Sequence, residues 1–135
     1  MSEDGISGER DAVPRLVQIA QHIDELDRAA GFYERLLGVP PTARFDPPGL
    51  VFFDLDGVRL LLEAGAPSAL LYIGVTDLAA TVDRLRAAGV PVESEPHRIF
   101  EHRTAELGPV GTAEWQAFIR DSEGNLVGLV EQRPG

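Results

Sequence analysis

ELDRAAGFYERLLGVP, running from Glu25 to Pro40, has a near echo in TDLAATVDRLRAAGVP, from Thr76 to Pro91. Each places an acidic residue and Leu ahead of an amphipathic run, and each closes on Gly-Val-Pro. In the first copy Leu26, Ala30, Tyr33 and Leu37 recur at the alternating four- and three-residue spacing of one helical face. Asp24 is positioned to cap the N-terminus, with Glu25 and Asp27 near the positive end of the helix dipole. Gly38 offers a left-handed stop and Pro40 blocks continuation. In the second copy Leu78, Val82 and Leu85 form the stripe, Thr76 or Asp77 the cap, and Gly89 with Pro91 the stop. Each copy predicts a helix of roughly three to four turns.

A strand precedes each helix and three follow. In LVQIAQHI, Val17, Ile19 and Ile23 share one side, while Gln18, Ala20 and His22 share the other. In ALLYIGV, Leu71, Ile73 and Val75 oppose Leu70, Tyr72 and Gly74. The first helix leads to TARFD, LVFFDL and VRLLLEA, with Asp56-Gly57 as a hairpin turn. The second leads to VESEPHRIF, EWQAFIRD and LVGLVEQ, the last pair joined through Ser-Glu-Gly-Asn. The chain therefore reads as β-α-β-β-β twice, over about residues 15–64 and 69–132, after a polar tail of residues 1–14 that is expected to be flexible.

Neither unit can bury its sheet alone, which gives the repeat a physical reason. Two such units predict an α+β fold with a curved, cup-shaped mixed sheet and helices outside. Leu60, Leu62, Leu71, Ile73, Val127 and Leu129 are expected to face the helices. Gln18, His22, Arg59, Leu61, Glu63, Tyr72 and Gly128 are expected to line the cup, a mixture suited to a small-molecule ligand.

Composition narrows the chemistry. The 135 residues suffice for one domain with its own core. The absence of cysteine excludes disulfides, thiolate nucleophiles and zinc–thiolate centres. All 12 basic residues are arginine, so lysine Schiff-base chemistry is excluded as well. A net charge of −10 argues against nucleic acid as a partner and favours a cationic ligand through long-range attraction. With neither a membrane-length apolar run nor a signal-like N-terminus, the expectation is a cytoplasmic protein that does not engage membranes.

With this element order, and with ELDRAAGFYERLLGVP and DSEGNLVGLVE (Asp121 to Glu131) in place, the chain resembles the glyoxalase / bleomycin-resistance / extradiol-dioxygenase superfamily, the vicinal oxygen chelate proteins. The second phrase is similar to that family's Asp-Pro-Asp-Gly-Asn turn and last strand, with Ser122 in the proline position. The resemblance covers about residues 15 to 132. It implies a domain, residues 15–135, that binds a small molecule and pairs as a homodimer. Enzymes of the family hold one divalent metal in the cup through His, Glu or Gln from four strands, and the metal supplies the chemistry. Carried across, the four ligand positions fall on Gln18, Leu61 (or Glu63, if the register moves by two), Leu70 and Gly128. Catalytic metal sites take about three protein ligands. The resemblance therefore implies a small-molecule binder without the usual metal set and with no cofactor, in the manner of bleomycin-resistance members. The alternative is a metal-dependent lyase, isomerase or dioxygenase with a rearranged site. Its divalent metal ion would rest on Gln18 and Glu63, joined by His22 or His97.

Several residues carry both a chemical and a structural reading. Glu63 among leucines suits an acid or base, and His22 a general base near neutrality; each equally suits a solvated or hydrogen-bonded strand end. Arg59 can grip an anion bidentately or pair across strands. Tyr72 and Trp115 offer aromatic walls or packing, and His97 a place on the cup rim. The expected ligand-binding set is Gln18, Arg59, Leu61, Tyr72, His97 and Trp115, with Glu63 and His22 as the candidates for catalysis.

Overall fold

The expected order appears twice in the computed structural model, which describes residues 13–134. The proposed tail, residues 1–14, lies outside the described residues except for its last two. The first unit comprises β1 (Gln18–His22), α1 (Leu26–Leu37), β2 (Ala43–Phe45), β3 (Leu50–Leu55) and β4 (Val58–Glu63). The second comprises β5 (Leu71–Gly74), α2 (Leu78–Ala87), β6 (Val92–Glu101), β7 (Thr112–Arg120) and β8 (Leu126–Pro134). The strands form two four-stranded mixed sheets, β1-β4-β3-β2 and β5-β8-β7-β6. In each sheet the first strand runs parallel to the last and the other pairings are antiparallel.

Strand alternation divides the apolar residues as the sequence predicts. Leu60, Leu62, Leu71, Val127 and Leu129 are buried in the core, with Ile73 packed against it. Val51, Phe53, Ala117 and Ile119 join them beneath the helices. Fully burying a side chain of the Val, Leu or Phe type is worth about 1.5–3 kcal/mol, so this shared layer is the main adhesive of the fold.

The helix ends differ in detail from the sequence reading. Glu25, rather than Asp24, is the N-cap of α1, accepting from the backbone N–H groups of Asp27 and Arg28. Asp24 is turned instead toward His22. The buried face of α1 includes Ala30 and Tyr33 of the predicted stripe and widens to Ala29, Phe32 and Leu36, with Leu26 and Leu37 partly buried against the core. Asp77 caps α2 through the Ala80 N–H. Gly38 and Gly89 take positive φ, 74° and 87°, which ends each helix where the repeat predicted.

Candidate functional site

The side of the sheets away from the helices carries the candidate site, and register fixes which side chains share it. In the first sheet Gln18 lies beside Arg59, Ala20 beside Leu61, and His22 beside Glu63. Leu61 pairs in turn with Phe52. In the second sheet Tyr72 lies beside Gly128, which pairs with Phe118. The edge strands β1 and β5 flank a cleft of about 390 Å³ that opens between the sheets, lined on the cup side by Leu16, Arg59, Leu70 and Tyr72 and on the helix side by core residues that include Leu60 and Leu71. Leu70 is 50% and Tyr72 53% exposed, so the apolar wall is open to a ligand.

Arg59 is the one charged lining residue of this cleft. Its Nε donates to Gln18 Oε1 at 2.9 Å, which orients the guanidinium. Its Nη groups have no hydrogen-bond partner among the described residues. On the facing sheet the Tyr72 and Phe118 rings meet edge to face, with centroids 5.9 Å apart. Gly128 makes that pair feasible: a Cβ there would lie 2.8 Å from Tyr72 and 3.1 Å from Phe118. The cup thus offers an oriented cation, an aromatic edge and an apolar wall.

A divalent metal does not suit this donor set. Gln18, the first ligand position, has its amide oxygen committed to a guanidinium, which would repel a second cation at the same atom. The Tyr72 ring fills the space above Gly128, where a fourth-position donor would project. Leu61 and Leu70 supply no donor. Glu63, singled out with Gln18 as a metal pair, is not brought to it. Gln18 is level with Arg59, and Glu63 stands four residues farther along β4, about 13 Å at the usual strand rise. Among the described residues no three His, Asp or Glu side chains converge.

The remaining candidates fall elsewhere. His22 Nδ1 approaches the Ala64 and Ala66 carbonyl oxygens at 3.0 and 3.1 Å, and Nε2 approaches Asp24 Oδ1 at 3.0 Å. All three neighbours are acceptors, so the doubly protonated ring satisfies them best. The Asp24 carboxylate accordingly raises the His22 pKa, with the two carbonyls acting in the same direction. This ring ties β1 to the segment joining the units. Trp115 lies on the helix side of β7, packed against the core, with the Arg133 guanidinium 4.1 Å from its ring centroid. It shares parity with Ala117 and Ile119, and so does not face the cup. His97 is exposed, and its Nδ1 lies 2.9 Å from the Glu95 carbonyl oxygen of its own strand.

Alternation in EWQAFIR also places Glu114 and Gln116 on the cup side, a pattern the sequence reading passed over. Glu114 accepts from Gln116 Nε2 at 3.1 Å, and its other oxygen lies 3.1 Å from His102 Nε2. His102 is only 3% exposed. Gly108 covers the ring so closely that a Cβ there would stand 2.8 Å from it. This network fastens the β6–β7 loop at one end of the second sheet.

Both phrases behind the family resemblance turn out to meet. Tyr33 O–H donates to Asp121 Oδ2 at 2.6 Å, and Gln21 Nε2 approaches the Tyr33 oxygen at 3.4 Å. Asp121 also accepts from the Asn125 side chain and from the backbone N–H groups of Glu123 and Asn125. Asn125 Nδ2 reaches the His22 carbonyl at 2.8 Å, and Gln21 Oε1 accepts from the Ala69 N–H at 2.7 Å. Glu123 accepts from the Asp24 and Glu25 N–H groups and from Arg28. The Arg28 guanidinium, with help from Ser122 and those N–H groups, lowers the Glu123 pKa to about 2. The turn of the second unit is thereby locked to the first helix of the first.

Comparison with known proteins agrees with this architecture. A family model described as the Glyoxalase/Bleomycin resistance protein/Dioxygenase superfamily matches residues 15–129. A lactoylglutathione lyase from Agrobacterium tumefaciens is similar at 25% identity and TM-score 0.61, over 87% of this chain and 92% of that one. A glyoxalase/bleomycin resistance protein/dioxygenase from Alicyclobacillus acidocaldarius shares 19% identity, with TM-score 0.61 and coverage of 87% and 91%. A glyoxalase-related enzyme from Fulvimarina pelagi shares 18% identity, with TM-score 0.63 and coverage of 88% of each chain.

Proposed function

The chain belongs to the glyoxalase/bleomycin resistance protein/dioxygenase superfamily, and from that premise we propose that it binds a small organic anion in its cup without the family's metal. The observation that carries this reading is the Gln18–Arg59 pair. At the place where an active relative would hold its metal, a guanidinium is held by Nε, and its Nη groups meet no acceptor among the described residues. A carboxylate or phosphate is the natural complement, since charge-assisted bonds to Arg are among the strongest available. The apolar and aromatic lining calls for a hydrocarbon or aromatic body on that anion. The long-range attraction of an acidic protein for cations is screened by salt, whereas the exposed Arg59 guanidinium acts at contact distance.

On this reading the protein works as a binder in the cytoplasm. The exposed Leu70 and Tyr72 favour a homodimer in which a second chain narrows the cleft. Among the described residues no helix is long and apolar enough to cross a membrane.

The test is a thermal-shift panel of aromatic and aliphatic carboxylates, their neutral amides and matched amines, with chelator present throughout. Carboxylates are expected to raise Tm, and amides and amines are not. Arg59→Gln is expected to weaken the best carboxylate at least about tenfold. Stabilisation by amines, or by carboxylates equally in Arg59→Gln, would refute the proposal.

A further inference from the structure

We infer that the groove between α1 and α2, on the side of the sheets opposite the cup, is a second binding site for a small anion carrying a short hydrocarbon chain. Packed helices normally lie about 8–10 Å apart, axis to axis. Here no Cα of α1 comes within 8 Å of a Cα of α2, and a groove of about 240 Å³ is left between them. Its apolar lining includes Phe32, Leu36 and Leu85, and Arg35, Arg84 and Arg120 border it. The one acidic lining residue is Asp121, already engaged by Tyr33 and Asn125.

The arginines are informative because of the charge balance. The chain has 22 acidic residues against 12 arginines, so carboxylates compete for many of the arginines. Among the described residues Arg28, Arg44, Arg86, Arg98, Arg120 and Arg133 have one within 4 Å, whereas Arg15, Arg59 and Arg103 have none. Arg35 and Arg84 have none among the described residues, although they line one groove. Arg120 makes only a long contact of 3.5 Å to Glu93, while its Nη1 holds the Gly124 carbonyl. Two arginines with no carboxylate partner among the described residues, over an apolar floor, are complementary to an amphipathic anion. The volume is below the roughly 300 Å³ at which pockets begin to accept drug-sized molecules, which sets the chain length as short.

Calorimetric titration of the full chain with butyl phosphate, inorganic phosphate and butanol tests this. Butyl phosphate is expected to bind several-fold more tightly than either fragment. Arg35→Gln/Arg84→Gln is expected to weaken it at least about tenfold in an Arg59→Gln background, where the cup has lost its cation. In that background butyl phosphate is expected to shift the NMR methyl signals of Leu36 and Leu85 and not those of Leu61. Four results would each overturn the site: no binding of butyl phosphate, equal affinity for inorganic phosphate, full affinity in the double variant, or methyl shifts confined to Leu61. Loss of binding in Arg59→Gln would reassign the anion to the cup.

Discussion

Tyr33 and Asp121 are both buried, one on the first helix and the other on the last hairpin, and each leaves the other few alternatives. Burial, and then the Asp121 carboxylate, raise the phenol's pKa, so it remains a donor throughout the ordinary range. Tyr33→Phe keeps the packing and removes the donor, leaving a buried carboxylate oxygen short of one partner. The expected loss is about 1–3 kcal/mol in urea unfolding; an unchanged midpoint would mean that the bond contributes nothing. His22 gives a complementary titration. Its folded pKa is raised by Asp24, so its contribution is complete below 6.5 and is lost as pH rises through the folded value. The imidazole NMR midpoint is expected above 6.5, and Asp24→Asn is expected to bring it down. A midpoint at or below 6.5 in the parent chain would contradict the imidazolium assignment.

The N-terminus of α1 is held by Glu123, a carboxylate from the other unit, and this makes one helix end depend on acid. Because the folded pKa of Glu123 is depressed, its contribution is present above 4.5 and is lost as pH falls toward about 2. Tm measured across that interval is expected to fall less steeply in Glu123→Gln than in the parent; parallel curves would remove Glu123 from the account. The elements themselves were readable from hydrophobic pattern and turn chemistry, because LVFFDL and VRLLLE are apolar runs of strand length on either side of the Asp56-Gly57 turn. The caps were less so. Asp24 and Glu25 are equally good on local grounds, and what decides between them is His22 and Glu123, contacts that a local pattern cannot reveal. Trp115 was misleading for the opposite reason. Its aromatic character suggested a ligand wall, whereas its parity with Ala117 and Ile119 already placed it with the core.

Across both units, the phrases that identify the family form the joint between the halves, and the cup is free to diverge. That explains why the fold was plain in the sequence while the site was only half so. Gln18, Arg59, Leu61 and Tyr72 were placed on the right face by alternation. The commitment of Gln18 to Arg59, the separation of Glu63 from Gln18, and the Tyr72–Phe118 contact over Gly128 depend on register between strands distant in sequence. Those three features are also what the proposal of a metal-free, anion-binding cup rests on. The most direct measurement is the metal content of the chain after reconstitution with zinc, manganese, nickel or ferrous iron and exhaustive dialysis, in the parent and in Gln18→Ala. We expect far less than one equivalent of each metal in both proteins. One equivalent retained by the parent and lost in Gln18→Ala would contradict the anion-binding cup and restore a metalloenzyme.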